Sequence, residues 1–259
     1  DTDPVAGGYA GAMPVRAVVF DLFDTLVDLR FEDLPKHELG GRWLPASSRA
    51  LHAAVSERAP VELAEFVEKL IALDKELHAP RYKEGREVPT GERFEALVEH
   101  LGIDDPELPE LLTSLHMGVL RSVVRIPEHH RGLLQELGAR VRLGLCSNFT
   151  HSETALGILE EAGFDEHLDA VVVSDAVGWR KPRSEIFDQV LRELDVAPDE
   201  VLHVGDSLRA DVGGAHARGI RTAWITRRIA DPKEALRENE GPAPDHAIGD
   251  LAEVLDLLD

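Results

Sequence analysis

Five short apolar runs alternate with helical patterns along most of the 259 residues, which predicts an α/β protein built on a doubly wound parallel sheet. One long helical stretch interrupts that alternation and predicts an α-helical insertion after the first strand. The first run starts near Val15, closes with Val18, Val19 and Phe20, and ends at Asp21. The others are Val141 to Cys146, Ala170 to Val173, Val201 to Val204 and Thr222 to Ile225. Each is apolar throughout or nearly so, as strands covered on both faces require.

Helical patterns fill the gaps. Leu133, Leu134 and Leu137 precede Gly138, which the pattern marks as a C′ glycine. Thr150 and Glu153 have the spacing of a capping box ahead of Leu156 and Leu159. Ile186, Phe187, Val190, Leu191 and Leu194 repeat at helical spacing. From Phe31 to Arg121 the reading is helical throughout. A stripe from Leu63 to Leu77 is opened by Pro60 and closed before Pro80, and Phe94 to Leu101 forms a second, ended by Gly102. Leu108 to Val119 forms a third, opening at Asp105-Pro106, and a weaker pattern spans Ala46 to Arg58.

Composition bounds the function. Against 49 Asp and Glu stand 28 Lys and Arg, a formal charge of −21, which repels nucleic acid and anionic membrane. No apolar run approaches the roughly 20 residues of a membrane span. Residues 1–12 carry neither a basic nor an apolar region of a secretory signal, and read as an extension ahead of a natural start at Met13. The single cysteine, Cys146, excludes an internal disulfide and fits the cytoplasm; with no histidine at activating spacing, it reads as a buried strand residue.

In an open parallel sheet, ligands sit outside the carboxyl ends of the strands. The residues there are Asp21-Leu22-Phe23-Asp24-Thr25, Ser147-Asn148-Phe149-Thr150, Arg180-Lys181-Pro182 and Gly205-Asp206-Ser207 followed by Asp211. Three carboxylates, Asp21, Asp206 and Asp211, converge on one point and cannot all ionise without a cation. Hard oxygen donors without Cys or paired His suit Mg²⁺. Lys181 adds positive charge, and Ser147 with nearby N–H groups can bind an anion, so a small anionic metabolite is admissible despite the acidic surface. Asp206 as a helix cap, Asp211 as a surface charge, and Ser147 and Asn148 as ordinary turn residues are the structural alternatives.

These four motifs, in this order and each behind a strand, resemble the haloacid dehalogenase-like hydrolase superfamily from about Pro14 to the C-terminus. The resemblance implies a Rossmann-like core of residues 14–30 and 122–259, a helical cap of residues 31–121, and residues 1–13 outside the fold. It further implies Asp21 as a nucleophile forming a covalent aspartyl intermediate, Thr25 and Ser147 as orienting hydrogen-bond donors, and Lys181 as the stabilising cation. Mg²⁺ would be held by Asp21, Asp206, Asp211 and the backbone carbonyl of Phe23, with Asn148 a candidate substrate contact.

One departure matters. Phosphatases of the superfamily carry a second Asp two residues after the nucleophile, as acid and base; here that position is Phe23. Asp24 is offset by one residue and points elsewhere. An aromatic at this place resembles the dehalogenating branch, which lacks the Gly-Asp-Ser metal motif that this chain keeps. Three functions follow: a Mg²⁺-dependent phosphatase acting through an aspartyl phosphate, a 2-haloacid dehalogenase-type carbon–halogen hydrolase, or a catalytically weak binding or regulatory protein.

Overall fold

Strand β1 (Ala17–Phe20) is buried on both faces and pairs in parallel with a strand on either side, which places it inside the sheet. The structure, a computed structural model, describes residues 13–39 and 41–258; of the expected extension at residues 1–13, all but Met13 lies outside the described residues. The other core strands are β2 (Arg142–Ser147), β3 (Ala170–Val173), β4 (Val201–Gly205), β5 (Arg221–Ile225) and β6 (His246–Ile248). Across the sheet they run β6-β5-β4-β1-β2-β3, all parallel. The chain moves outward from β1 through β2 and β3, then crosses back to β4 on the far side of β1. That reversal makes β1 and β4 the switch point, where the loops leaving the carboxyl ends diverge and open a crevice. Phe20 pairs with Leu145 and with Val204, so Asp21 stands level with Cys146 and Gly205. Strand β6 was not anticipated: it is three residues long, and only Ile248 of the three is buried.

Alternate residues of β1 enter opposite halves of the core. Val18 and Phe20 pack with Leu134, Leu145, Ile158 and Val204, while Ala17 and Val19 pack with Ile186, Phe187, Val190 and Ala215. A third cluster belongs to the inserted segment, whose helices are α1 (Ser48–Ser56), α2 (Leu63–Glu84), α3 (Thr90–His100) and α4 (Leu108–Arg121). Leu51, Phe66, Leu70, Phe94, Leu97, Leu108 and Leu112 fill it with no exposed surface, each contributing roughly 1.5–3 kcal/mol of burial. The segment is not helical throughout, as the periodicity implied. Asp28–Leu29 pairs antiparallel with Val124–Arg125 where the chain leaves and re-enters the core, and a hairpin joins His37–Leu39 to Arg42–Leu44. Gly41, at φ 80°, supplies the left-handed turn of that hairpin, a signal that the helical reading passed over.

Three further helix boundaries differ from expectation. Pro80 lies inside α2 rather than beyond it. The helix forgoes one N–H there but continues one more turn, because Arg81 pairs with Glu92, Arg180 stacks 4.2 Å over Tyr82, and Gly85 at φ 77° closes the end. Helix α5 (His130–Gly138) includes Gly138 as its last helical residue, and Ala139 follows without a left-handed turn. Helix α6 (Ser152–Ala162) is capped by His151, whose Nδ1 accepts from Thr154 N at 3.3 Å, so Thr150 and Glu153 form no capping box. Thr150 instead meets Thr90 of the insertion, hydroxyl to hydroxyl at 2.7 Å. Helix α7 (Ser184–Leu194) buries the predicted stripe Ile186, Phe187, Val190, Leu191 and Leu194. No helix among the described residues is long and apolar enough to cross a membrane.

Candidate active site

Asp21 continues β1 into the crevice, with its N–H bonded to the Val204 carbonyl at 2.9 Å. The chain then turns tightly, as Leu26 and Val27 both donate to the Leu22 carbonyl at 2.9 Å. Asp24 takes φ 56°, a left-handed conformation that Asp tolerates better than most residues. Its Oδ1 accepts from Leu29 N at 3.1 Å and pairs with Arg228 Nε at 2.7 Å. Asp24 therefore holds the turn. The Phe23 ring packs 4.8 Å from that of Phe149.

Asp206 and Asp211 enter from the end of β4. Gly205 is required there, because a Cβ would overlap the Asp211 carboxyl folded back across the strand end. Ser207, not Asp206, caps the following turn, with its Oγ accepting from Ala210 N at 3.1 Å. Trp224 Nε1 donates to the Asp206 carbonyl at 2.7 Å and fixes that backbone. Carboxylate oxygens of Asp21, Asp206 and Asp211 lie within 4.8 Å of one another. Asp211 is a buried residue rather than a surface charge.

Lys181 enters from the loop after β3. Its Nζ donates to Asp211 Oδ1 at 2.6 Å and to the Cys146 carbonyl at 2.6 Å, and it forms an ion pair with Asp21 Oδ1 at 2.8 Å. A methyl on Gly214 would stand 2.8 Å from Pro182 Cα and 2.6 Å from the Phe187 ring, so a glycine here lets the segment after Asp211 approach the Lys181 loop. Asn148 grips the same loop: its Oδ1 accepts from Lys181 N at 2.7 Å and its Nδ2 donates to Lys181 O at 2.9 Å. The side chain that the resemblance offers as a substrate contact is thus engaged as a strut between two loops. Thr25 and Ser147 are buried, and neither hydroxyl oxygen has a partner among the described residues. An unpaired buried hydroxyl is costly, so a ligand that bonds to both would be favoured.

The electrostatics fit a divalent cation. Burial, reinforced by the charges of Asp21, Asp211 and Asp24, pushes the Asp206 carboxyl up to about 8. Burial also raises Asp21, against the opposing pull of Lys181. Burial works against ionisation of Asp211 too, but the Lys181 charge and the His203 hydrogen bond override it and hold that carboxyl below its usual range. Burial would neutralise Lys181, yet Asp21 and Asp211 hold its pKa above the usual value. Three carboxylates thus face one ammonium, and only an added cation lets all of them ionise together. Burial pushes the Cys146 thiol up to about 12, which leaves it inert and consistent with its strand position.

Several contributors went unread in the sequence. His203, in the middle of β4, donates from Nε2 to Asp211 Oδ1 at 2.9 Å and stands edge-on to Phe187. Its only signal is a polar residue within an apolar run. Arg227 and Arg228, after β5, pair with Asp28 and Asp24 and brace the turn that carries Asp21.

Two outcomes follow from this geometry. Gly205→Ala should displace the Asp211 carboxyl and cost about 1–3 kcal/mol of stability, read by thermal melting. Asp206→Ala should weaken Mg²⁺ binding by more than the roughly 10–100-fold that changes beyond the ligands themselves cost. Calorimetric titration giving unchanged affinity would mean that the metal lies elsewhere or is absent.

A family model of haloacid dehalogenase-like hydrolases matches residues 15–219. Ribulose-1,5-bisphosphate 5-phosphatase of Halopiger xanaduensis is 34% identical over 132 residues, 48% of this chain and 52% of that protein. For the first relatives of this kind the match spans about half of their length or less. Glyceraldehyde 3-phosphate phosphatase of Methanopyrus kandleri is 27% identical over 94% of this chain and 97% of its own. Among solved structures, 2-haloacid dehalogenase from Pseudomonas syringae pv. Tomato DC3000 superposes with TM-score 0.65 at 22% identity, covering 94% of this chain and 98% of that one. A HAD phosphatase from Thermococcus onnurineus gives 0.60 at 21% identity, covering 94% and 98%. With the doubly wound sheet and a match over most of its length, the chain belongs to the haloacid dehalogenase-like hydrolase family.

Proposed function

We propose that this hydrolase is a Mg²⁺-dependent phosphatase of small phosphorylated metabolites, acting through an aspartyl phosphate on Asp21. The observation that carries the reading is the cluster of Asp21, Asp206 and Asp211 within 4.8 Å, bridged by Lys181. Phosphatase relatives aligned over nearly the whole chain support it. Lys181 engages Asp21 Oδ1, leaving Oδ2 as the attacking oxygen. The Thr25 and Ser147 hydroxyls, buried and unpaired, donate to phosphoryl oxygens. Asp211, with Lys181 and His203 on Oδ1 and Ser207 N on Oδ2, acts mainly by fixing Lys181. The cation would be held by Asp21, Asp206 and the Phe23 carbonyl, with Asp211 behind them. When bound, Mg²⁺ supplies the positive charge that lets these carboxylates ionise together and offsets the charge of the phosphoryl group. The segment of residues 31–121 serves as a cap that excludes bulk water and selects the substrate.

Phe23 favours a second reading. Its ring packs on Phe149 where an acid would protonate a leaving group, and halide needs no proton. In that case Asp21 would displace halide from a small haloacid and form an ester. Assays with and without Mg²⁺ on a panel of phosphomonoesters and on 2-haloacids separate the two. Metal-dependent phosphate release is expected. Metal-independent halide release would establish the dehalogenase, and saturable ligand binding without turnover would leave a binding protein.

A further inference from the structure

We infer that Glu87, on the inserted helical segment, is a positioning residue for Lys181 and for the loop that carries Ser147. The inference rests on the hydrolase site proposed above and extends it to a residue outside the four motifs. Glu87 lies between α2 and α3, and its side chain has no exposed surface. Arg180 Nη1 donates to both of its carboxylate oxygens at 2.6 Å, and Ser174 Oγ donates to Oε2. The Ser174 oxygen in turn accepts from Phe149 N at 2.9 Å. Next along the chain from Phe149 is Asn148, whose amide brackets the Lys181 backbone at 2.7 and 2.9 Å. Lys181 follows Arg180. The contacts therefore close into a ring: Glu87, Arg180, Lys181, Asn148, Phe149, Ser174 and back to Glu87.

Backbone pairing lays the insertion along the same two loops. Glu87 N donates to Gly178 O at 3.1 Å, Arg180 N to Gly85 O at 2.9 Å, and Thr90 N to Thr150 O at 2.8 Å. Arg86 stacks 3.9 Å over Trp179. An apolar joint of the same volume would hold the two parts together at least as well as a buried ion pair. What the charged ring adds is direction: the carboxylate fixes Arg180 Nη1 and the Ser174 hydroxyl, and through them the backbone on either side of Lys181 and Ser147. On this side of the crevice the insertion is part of the scaffold that aims the reacting groups, so it does not swing free as a whole.

The test uses Glu87→Gln, Glu87→Asp and the double variant Glu87→Met with Arg180→Met, assayed on p-nitrophenyl phosphate with Mg²⁺. Glu87→Gln should lower kcat about 10–100-fold, the scale of losing an orienting contact behind a reacting group. KM should stay within about threefold, because substrate binding is not its role. Backbone amides of Phe149 and Lys181 should exchange faster with solvent deuterium, while the β1 amides keep their protection. The double variant should regain the wild-type melting temperature, since no charge is left unpaired, yet keep the kcat deficit. Wild-type kcat in Glu87→Gln, or recovery of kcat together with stability in the double variant, would overturn the inference. If the Gln variant does not fold, Glu87→Asp and Arg180→Lys, which keep the charges and change only reach and donor geometry, are expected to show the same kcat loss and faster exchange; full activity in both would overturn it. If the wild type releases no phosphate, the proposed reaction fails, and amide exchange decides the positioning role alone: unchanged exchange at Phe149 and Lys181 rejects it.

Discussion

Asp21→Asn is expected to abolish turnover, by roughly 10⁴–10⁶-fold in kcat, the range seen when a nucleophile is removed. The amide keeps the shape of the carboxyl and a weak acceptor for Lys181, so the fold should persist. Stability should change little by comparison. The folded-state pKa of Asp21 is raised, chiefly by burial, so its ionised form is less favourable in the native protein than in the unfolded chain. Such a group costs stability above its unfolded pKa, and a neutral amide removes that cost. Without metal, that relief is set against the loss of the Lys181–Asp21 ion pair, so the Asn variant should melt close to wild type and lose chiefly activity. With Mg²⁺ the wild type should melt higher than the variant, because the cation stabilises the wild-type carboxylate cluster more. A folded variant with near-wild-type turnover would remove Asp21 from the mechanism.

The second large effect concerns leaving groups. Phe23 stands where a proton donor would be expected, with its ring against Phe149, and Asp24 is committed to Arg228 and to Leu29 N. Neither can protonate a departing alkoxide. Losing a positioned acid typically costs about 10²–10⁴-fold, so alkyl phosphates should be poor substrates. Aryl and acyl phosphates leave without much protonation and should suffer far less, which makes the aryl-to-alkyl ratio of kcat/KM unusually large. Phe23→Asp should narrow the ratio by helping alkyl substrates most. Equally fast hydrolysis of both classes by the wild type would mean that a residue of the insertion donates the proton.

The parts of this site that sequence discloses are those encoded by position along a strand. A run of apolar residues ending in Asp21, or in Gly205-Asp206, places a carboxylate at the end of a parallel strand, and the alternation of strands and helices brings those ends together. Like charges so gathered imply a cation. The ring around Glu87 is different: Glu87 and Arg180 are 93 residues apart, and nothing local in either segment foretells the contact. His203 is hidden for another reason, because a histidine within a buried strand reads as tolerated packing until Asp211 is seen to fold back over it. The hairpin at His37–Leu39 and Arg42–Leu44 is masked in the sequence by the helical periodicity around it, although Gly41 marks its turn. At helix ends, the local preferences of Pro80 and Thr150 yield to contacts made elsewhere, such as Thr150 with Thr90, while Gly138 simply remains the last helical residue of α5.

Mass spectrometry of the protein quenched in acid during turnover of an aryl phosphate in ¹⁸O-water tests the central proposal most directly. The phosphatase mechanism requires a phosphoryl group on the peptide containing Asp21, formed only with Mg²⁺ present. Water then attacks phosphorus, so the solvent oxygen should appear in released phosphate and not in the Asp21 carboxyl. A peptide that never carries phosphate, or an Asp21 carboxyl that takes up ¹⁸O because water attacked its acyl carbon instead of phosphorus, would contradict it.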